Sequence, residues 1–238
     1  MAAVSTEKSK RDSISRSASS AKPEAPENVE ASRVPQQGRS RASYERMLVA
    51  AEKLMIKRGD DEFTLTEVAK TGKVSIGSIY LRFDSKDDLI RAVHGRVLGR
   101  INEDQQRMLV SVSGRSGSLD DYARYFVEAY AELLKEYSPV LRPIMFRAIH
   151  DESMSALGRG SAEELSNEVH RELLAYASEF GRPDHQRLVE NAFRMIYCTL
   201  ARYLGLGSSP EAANQGNWEE LKEDLAIMCP AFLRAGAG

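Results

Sequence analysis

The residues that could do chemistry lie between Thr64 and Leu89, and their types suit recognition rather than bond-making. Thr64 can cap a short helix ending near Thr71, with Glu67 three residues on to complete a capping box. Gly72-Lys73 breaks that helix, and Ser75 can cap a second one running through Ile79 to Phe83. Asp84-Ser85 ends the second, and Ser85 caps a long helix that begins Lys86-Asp87-Asp88-Leu89. Two short helices across a tight turn, with Val68, Ala69, Val74, Ile79 and Phe83 as the internal apolar set, describe a helix-turn-helix. Ala69 is the small residue where the two helices would cross closely. In such a unit the second helix enters the major groove with its N-terminal side chains on base edges. Groups for catalysis lack the needed spacing. There is no His-Glu-x-x-His, no Gly-x-Ser-x-Gly, no P-loop and no Gly-rich dinucleotide fingerprint. His94, His150, His170 and His185 have no metal-ligand spacing with one another, although His150-Asp151-Glu152 is a polar cluster. No catalytic residue, metal or cofactor is expected.

The elements that must hold this unit are helices almost throughout. Met47, Leu48, Ala51, Leu54 and Met55 recur at three- and four-residue spacing over 44–58, and Gly59 supplies a stop. The strongest period lies at 119–137, with Leu119, Tyr122, Phe126, Tyr130, Leu133 and Tyr137 on one stripe. Leu165, Val169, Leu173, Tyr176 and Phe180 repeat it, as do Val189, Phe193, Ile196, Leu200 and Tyr203. Trp218, Leu221, Leu225, Met228 and Phe232 close the series. Breaks are expected at Gly114 and Gly117, Ser138-Pro139, Gly158 and Gly160, Gly181-Arg182-Pro183, and Gly205 to Pro210. Pro143 and Pro230 predict a kink or a helix start. Glu163-Glu164 and Glu219-Glu220 read as acidic first turns. The predicted fold class is all-α.

Charge is spread unevenly over the 238 residues, whose net formal charge is −2. Residues 1–41 hold eight basic and five acidic side chains, 42–95 hold nine of each, and 96–238 hold 16 basic against 21 acidic. Residues 1–40, poor in apolar side chains and rich in Ser, Ala and Pro, read as a disordered basic arm. Near-neutrality argues against a nucleic-acid binder at first sight. A few phosphate contacts made by positioned helix N-termini can replace a basic face, and they predict a modest salt dependence. No stretch approaches the roughly 18 uncharged apolar residues of a membrane span, and the N-terminus has no apolar signal segment. Cys198 and Cys229 read as small hydrophobes in a reducing cytoplasm.

Thr64-Leu65-x-x-Val68-Ala69, then Val74-Ser75-x-Gly77-x-x-Tyr80-x-x-Phe83-x-Ser85-Lys86-x-x-Leu89, resembles the DNA-binding domain of the tetracycline-repressor (TetR) family. The resemblance runs from roughly Arg41 to Arg100 and includes Ala50-Ala51 and Gly59. It implies an N-terminal three-helix DNA-binding domain over 41–100 and a helical ligand-binding and dimerisation domain over 101–238. It further implies a homodimeric regulator, usually a repressor, on a pseudo-palindromic operator and under a small-molecule effector. The family usually has Ala-Gly before the Val-Ser pair, where this chain has Gly72 and Lys73. If residue 73 needs positive φ, lysine costs on the order of 1 kcal/mol relative to glycine; otherwise the turn relaxes around Gly72. Lys73 in either case brings a cation near the DNA backbone.

By the same resemblance, Thr64 would hold a phosphate through its hydroxyl and nearby amides, and Ser75, Ile76 and Ser78 would face the groove. Ile76 could touch a thymine methyl, and Gly77 would let the backbone come close. Tyr80 and Lys86 resemble the family's phosphate contacts; the alternatives are a core aromatic and a solvated first-turn residue. In the C-terminal part, Tyr122, Phe126, Tyr130, Met145, Phe146, Phe193 and Tyr197 could line a pocket between helices or simply pack. The resemblance implies that helices near 184–206 and 217–234 pair with their copies in the dimer. Two rivals stay open: a helical small-molecule-binding module, and an interaction module whose helix-turn-helix no longer reads DNA.

Overall fold

The computed structural model describes residues 33–207 and 213–236, and no strand occurs among them. Eight α-helices are described: α1 (Arg33–Arg58), α2 (Leu65–Gly72), α3 (Ile76–Tyr80), α4 (Lys86–Ser113), α5 (Leu119–Ala148), α6 (Glu152–Leu174), α7 (His185–Tyr203) and α8 (Trp218–Arg234). A 3-10 turn, Ala177–Glu179, lies between α6 and α7. By its internal contacts the chain divides into Met1–Arg39 and Ser40–Gly238. The expected arm over 1–40 falls mostly outside the described residues; where the two overlap, 33–40 are helical. Pro35 sits in the first turn of α1, where a missing amide costs no hydrogen bond.

Side-chain caps start α4, α5, α6 and α8, whereas Asp184 before α7 makes no cap bond. Ser85 accepts from the Asp88 amide, Ser118 from Asp121, Asp151 from Met154, and Asn217 from Glu219 and Glu220. Acidic residues follow in each first turn, as the helix dipole favours. Glu219 and Glu220 hold that position in α8, whereas Glu163 and Glu164 lie in the middle of α6. The misplacement has one cause: α6 does not break at Gly158 or Gly160 but begins at Glu152. Each interior glycine costs about 1 kcal/mol against alanine, and burial of Met154, Leu165, Val169 and Leu173 on the same helix offsets it. The Tyr176 and Phe180 end of that stripe lies beyond α6, partly buried against the same core.

Proline fails to break α5 and α8. Pro139 and Pro143 lie inside α5, and Pro230 lies inside α8. A helical residue 139 would donate its amide to the Lys135 carbonyl, which proline cannot do. The Ser138 hydroxyl donates to that same carbonyl at 2.9 Å. Its neighbour thus supplies the hydrogen bond that proline omits.

Within Ser40–Gly238 the buried residues form two clusters joined by α4. Met47, Leu48, Ala51, Met55, Val68 and Ile79 pack with Leu89, Ile90, Val93 and Val97 of α4. Tyr137, Val140 and Ile144 of α5 belong to this cluster too, so the core that holds α1 to α3 does not stop at residue 100. The second cluster takes Met108, Leu109 and Val112 of α4 with the apolar faces of α5 to α8. Ion pairs tie α4 along its length. Arg96 reaches Glu45 and Glu52, Arg100 reaches Glu52, and Arg91 reaches Asp151 at the head of α6. Arg147 at the end of α5 holds both Asp61, at 3.1 Å, and Asp87, at 2.7 Å.

Candidate nucleic-acid interface and core cavity

Local capping builds the two short helices. The Thr64 hydroxyl accepts from the Glu67 amide at 3.2 Å, while the Thr64 amide donates to the Glu67 carboxylate at 2.8 Å. Arg58 adds an ion pair to Glu67 at 2.5 Å. The Arg58 guanidinium first, then the Thr64 amide and hydroxyl, hold the Glu67 carboxyl down at about 2. The Thr64 hydroxyl also donates to Glu67, so its proton is engaged in the cap.

The turn between α2 and α3 answers the question that Lys73 raises. Lys73 is left-handed at φ 51 and ψ 49, its amide bonds the Lys70 carbonyl, and the Val74 amide bonds Ala69. This is a Schellman-type helix ending in which lysine stands where glycine is usual. Gly72 serves a different need. A Cβ there would meet the Arg46 carbonyl oxygen at 2.9 Å, so glycine lets α2 approach α1 closely.

Helix α3 buries Ile79 completely and turns its other faces outward. Ser75 caps it, accepting from the Ser78 amide at 3.1 Å, and the two serine hydroxyls lie 2.7 Å apart. Ser75, Ile76 and Gly77 are exposed, and Ser78 is half-buried. Tyr80 is 60% exposed, which removes its alternative as a core aromatic. The helix ends at Tyr80 rather than Phe83. Phe83 is buried and stacks on Tyr44, with ring centroids 5.6 Å apart, and the Arg82 amide bonds the Ile79 carbonyl at 2.9 Å, three residues back, which tightens the last turn. Lys86 is half-buried, donates to the Asp61 carbonyl at 2.8 Å and sits 5.4 Å over the Phe63 ring.

Two residues at this surface escape the motif. Leu81 is 84% exposed just after α3. Arg82 donates to the Ser78 carbonyl and to both the carbonyl and hydroxyl of Ser40, fastening α3 to α1. Its long-range partner left no local signal.

A cavity of about 350 Å³ lies among α4, α5, α6 and α7. Of the seven aromatic and methionine positions singled out in the sequence, Tyr130, Met145, Phe193 and Tyr197 border it. Tyr122 and Phe126 do not; they stack on each other deeper in the core, 5.8 Å apart. Phe146 turns outward, 69% exposed, with its ring edge toward His150. Helix α4 supplies a wall that the aromatic stripes did not reveal: His94, Leu98, Ile101 and Gln105. Their four-three-four spacing places them on one face of a helix, which is the signal that could have found them. Among the described residues no helix is long and apolar enough to cross a membrane.

Comparison with known proteins agrees with this geometry. Residues 47–93 match the family described as bacterial regulatory proteins, tetR family. The HTH-type transcriptional repressor BepR of Brucella suis is 40% identical over 52 residues, which are 22% of this chain and 25% of that repressor. The match therefore spans a quarter of the repressor's length. A protein described as a TetR-family transcriptional regulator from Mesorhizobium loti shares the fold with a TM-score of 0.66 at 17% identity, over 82% of this chain and 96% of its own. The fatty acid degradation regulator FadR of Bacillus halodurans gives 0.60 at 14% identity, over 81% and 96%. Over residues 47–93, which hold the helix-turn-helix, the chain is thus similar to bacterial regulatory proteins of the tetR family.

Proposed function

We propose that the chain is a DNA-binding transcriptional regulator, acting as a repressor, that grips a pseudo-palindromic operator as a homodimer and is controlled by a small-molecule effector. The observation that carries this is the split character of α3. Ile79 is fully buried to fix the helix, while Ser75, Ile76, Gly77 and Tyr80 on the same short helix face solvent. A helix held by one apolar residue and presenting hydroxyl, methyl and phenol groups suits groove contact. In this reading Ile76 and the serines meet base edges. Tyr80, Lys73 and the remaining N–H groups of Lys86 meet phosphates. The Thr64 hydroxyl serves the cap, leaving the first amides of α2 for a phosphate.

The dimer would form through α7 and α8, whose outer faces include the exposed Cys198 and the 68% exposed Ile227. Two copies of α3 would then lie about one DNA turn apart, roughly 34–36 Å. The effector would occupy the cavity, and α4 offers the route to DNA. It carries His94 at the cavity and, one turn earlier, Arg91 on Asp151. Motion of α4 would change the spacing of the two reading helices. A typical coupling of about 1–3 kcal/mol alters operator affinity about 5- to 150-fold. The role is regulatory rather than enzymatic, and cytoplasmic.

Selection from randomised duplex by mobility shift tests the reading. The expected result is enrichment of an inverted repeat with half-sites one turn apart; no enrichment would refute it and favour a helix-turn-helix that no longer reads DNA. Ser78→Ala should relax preference at one base pair, and Tyr80→Ala should weaken binding to all sequences alike.

A further inference from the structure

The wall of the cavity has an unusual distribution of polar groups. No lysine, arginine, aspartate or glutamate borders it among the described residues. Its polar serines are already engaged, Ser161 with Asn102 at 2.6 Å and Ser155 with Arg159 at 2.7 Å. His94 is 3% exposed and its Nδ1 has no hydrogen-bond partner. Gln105, 8% exposed, lines the same space. His94 and Gln105 stand eleven residues apart on one face of α4, about 16 Å at 1.5 Å per residue. Leu98 and Ile101 fill the interval, so the α4 side of the wall runs polar, apolar, apolar, polar, while Tyr130 and Tyr197 border the cavity from α5 and α7.

Charge finds no counterpart here. An ion brought into the cavity would lose its hydration with no fixed opposite charge to replace it. The one ionisable base in the wall, His94, is held toward its neutral form by burial, with the Asp151 carboxylate pulling the other way. Asp151 itself is engaged by Arg91 at 2.9 Å and by the Met154 amide at 3.1 Å. The space equals that of about a dozen liquid waters, room for a ligand of roughly ten to fifteen non-hydrogen atoms.

We propose that this cavity takes an uncharged, narrow and largely apolar molecule lying along α4, with a hydrogen-bonding carbonyl or hydroxyl group at its His94 end. The proposal rests on the reading of the cavity as the effector site. It adds the ligand's class: an amide, alcohol, ketone or ester rather than a carboxylate or an amine.

Calorimetric titration of the full chain near neutral pH with three probes of equal chain length, nonanamide, nonanoate and nonylammonium, tests it. Nonanamide should bind roughly tenfold or more tightly than either ion, and His94→Leu should weaken it about tenfold, the worth of one buried hydrogen bond. Gln105→Leu should have the smaller effect. Nonanoate or nonylammonium binding as tightly as the amide would overturn the uncharged class while leaving the site in place. A larger loss in Gln105→Leu than in His94→Leu would overturn the placement of the polar end. Absence of binding by all three probes would overturn the effector-site reading, and the proposal with it. Amide binding that survives Met145→Trp would do the same. If Met145→Trp does not fold by circular dichroism, Ala162→Leu fills the same space with less strain.

Discussion

Ser138→Ala and Pro139→Ala, made singly and together, probe how α5 stays continuous from Leu119 to Ala148. The continuity matters because Tyr130 and Met145, on either side of the proline, border one cavity. Pro139 has no amide for the Lys135 carbonyl, and the Ser138 hydroxyl donates there at 2.9 Å. Ser138 is 4% exposed, so the bond lies at the edge of the core. Removing the hydroxyl should cost about 0.5–1.5 kcal/mol, the net worth of one intramolecular hydrogen bond. Pro139 is exposed, and proline in an exposed helix interior costs up to about 3 kcal/mol against alanine. Part of that is already absorbed, because the helix has relaxed around the ring. Pro139→Ala should therefore stabilise by about 1–2 kcal/mol. In the double variant the alanine amide takes the Lys135 carbonyl and the serine becomes dispensable, so the two effects couple by about 1 kcal/mol. Urea unfolding followed by circular dichroism measures this, at one protein concentration because assembly would shift the midpoint. Each kcal/mol should move the thermal midpoint by about 2–4 °C. Equal cost of Ser138→Ala in both backgrounds would refute the account of the bypass, as would a Pro139→Ala variant less stable than the parent.

Helix α3 offers a paired contrast. Ile79→Ala should cost about 2–5 kcal/mol by leaving a cavity, whereas Ile76→Ala, at an exposed site, should stay within about 0.5 kcal/mol in thermal melts yet weaken operator binding. Lys73→Gly should raise stability by about 1 kcal/mol, since φ 51 is strained for lysine and free for glycine. A fall in the midpoint would show that the lysine side chain makes a stabilising contact instead. Glu67 predicts a pH dependence whose sign follows from its depressed carboxyl. Its contribution is present above the ordinary value of 4.5 and is lost as pH falls toward about 2. Stability profiles in acid should flatten in Glu67→Gln over that range, and a carboxyl titration by NMR near 4.5 would contradict the capping network.

What depends on neighbours a few residues apart is legible in the amino-acid order. Thr64 with Glu67, Ser75 before α3 and Ser85 before α4 are caps made by local reach, and the structure has each of them. Gly59, at φ 77, ends α1 where its freedom is needed, with its amide on the Met55 carbonyl. The periodic stripes located α5, α7 and α8 because apolar residues at helical spacing must share a face. Local signals misled where a distant partner or a neighbouring side chain compensated for a poor helix former. Gly158 and Gly160 are carried by the buried residues of α6, and Pro139 by the Ser138 hydroxyl.

Which aromatic residues border the cavity depends on how the helices pack in three dimensions. Tyr122 and Phe126 share a stripe with Tyr130, yet two turns of α5 place them deeper against Tyr176 and Phe193. His94 and Gln105 became visible as a site because α5, α6 and α7 close over one face of α4. Lys86 on the Asp61 carbonyl and Arg82 on Ser40 are likewise settled by contacts between segments far apart in the chain. Capping and periodicity act through the backbone over one or two turns, and so can be read in order. Cavity walls and ion-pair partners arise from how whole helices cross, and crossing is set by the sum of many buried contacts that no single stretch of sequence contains.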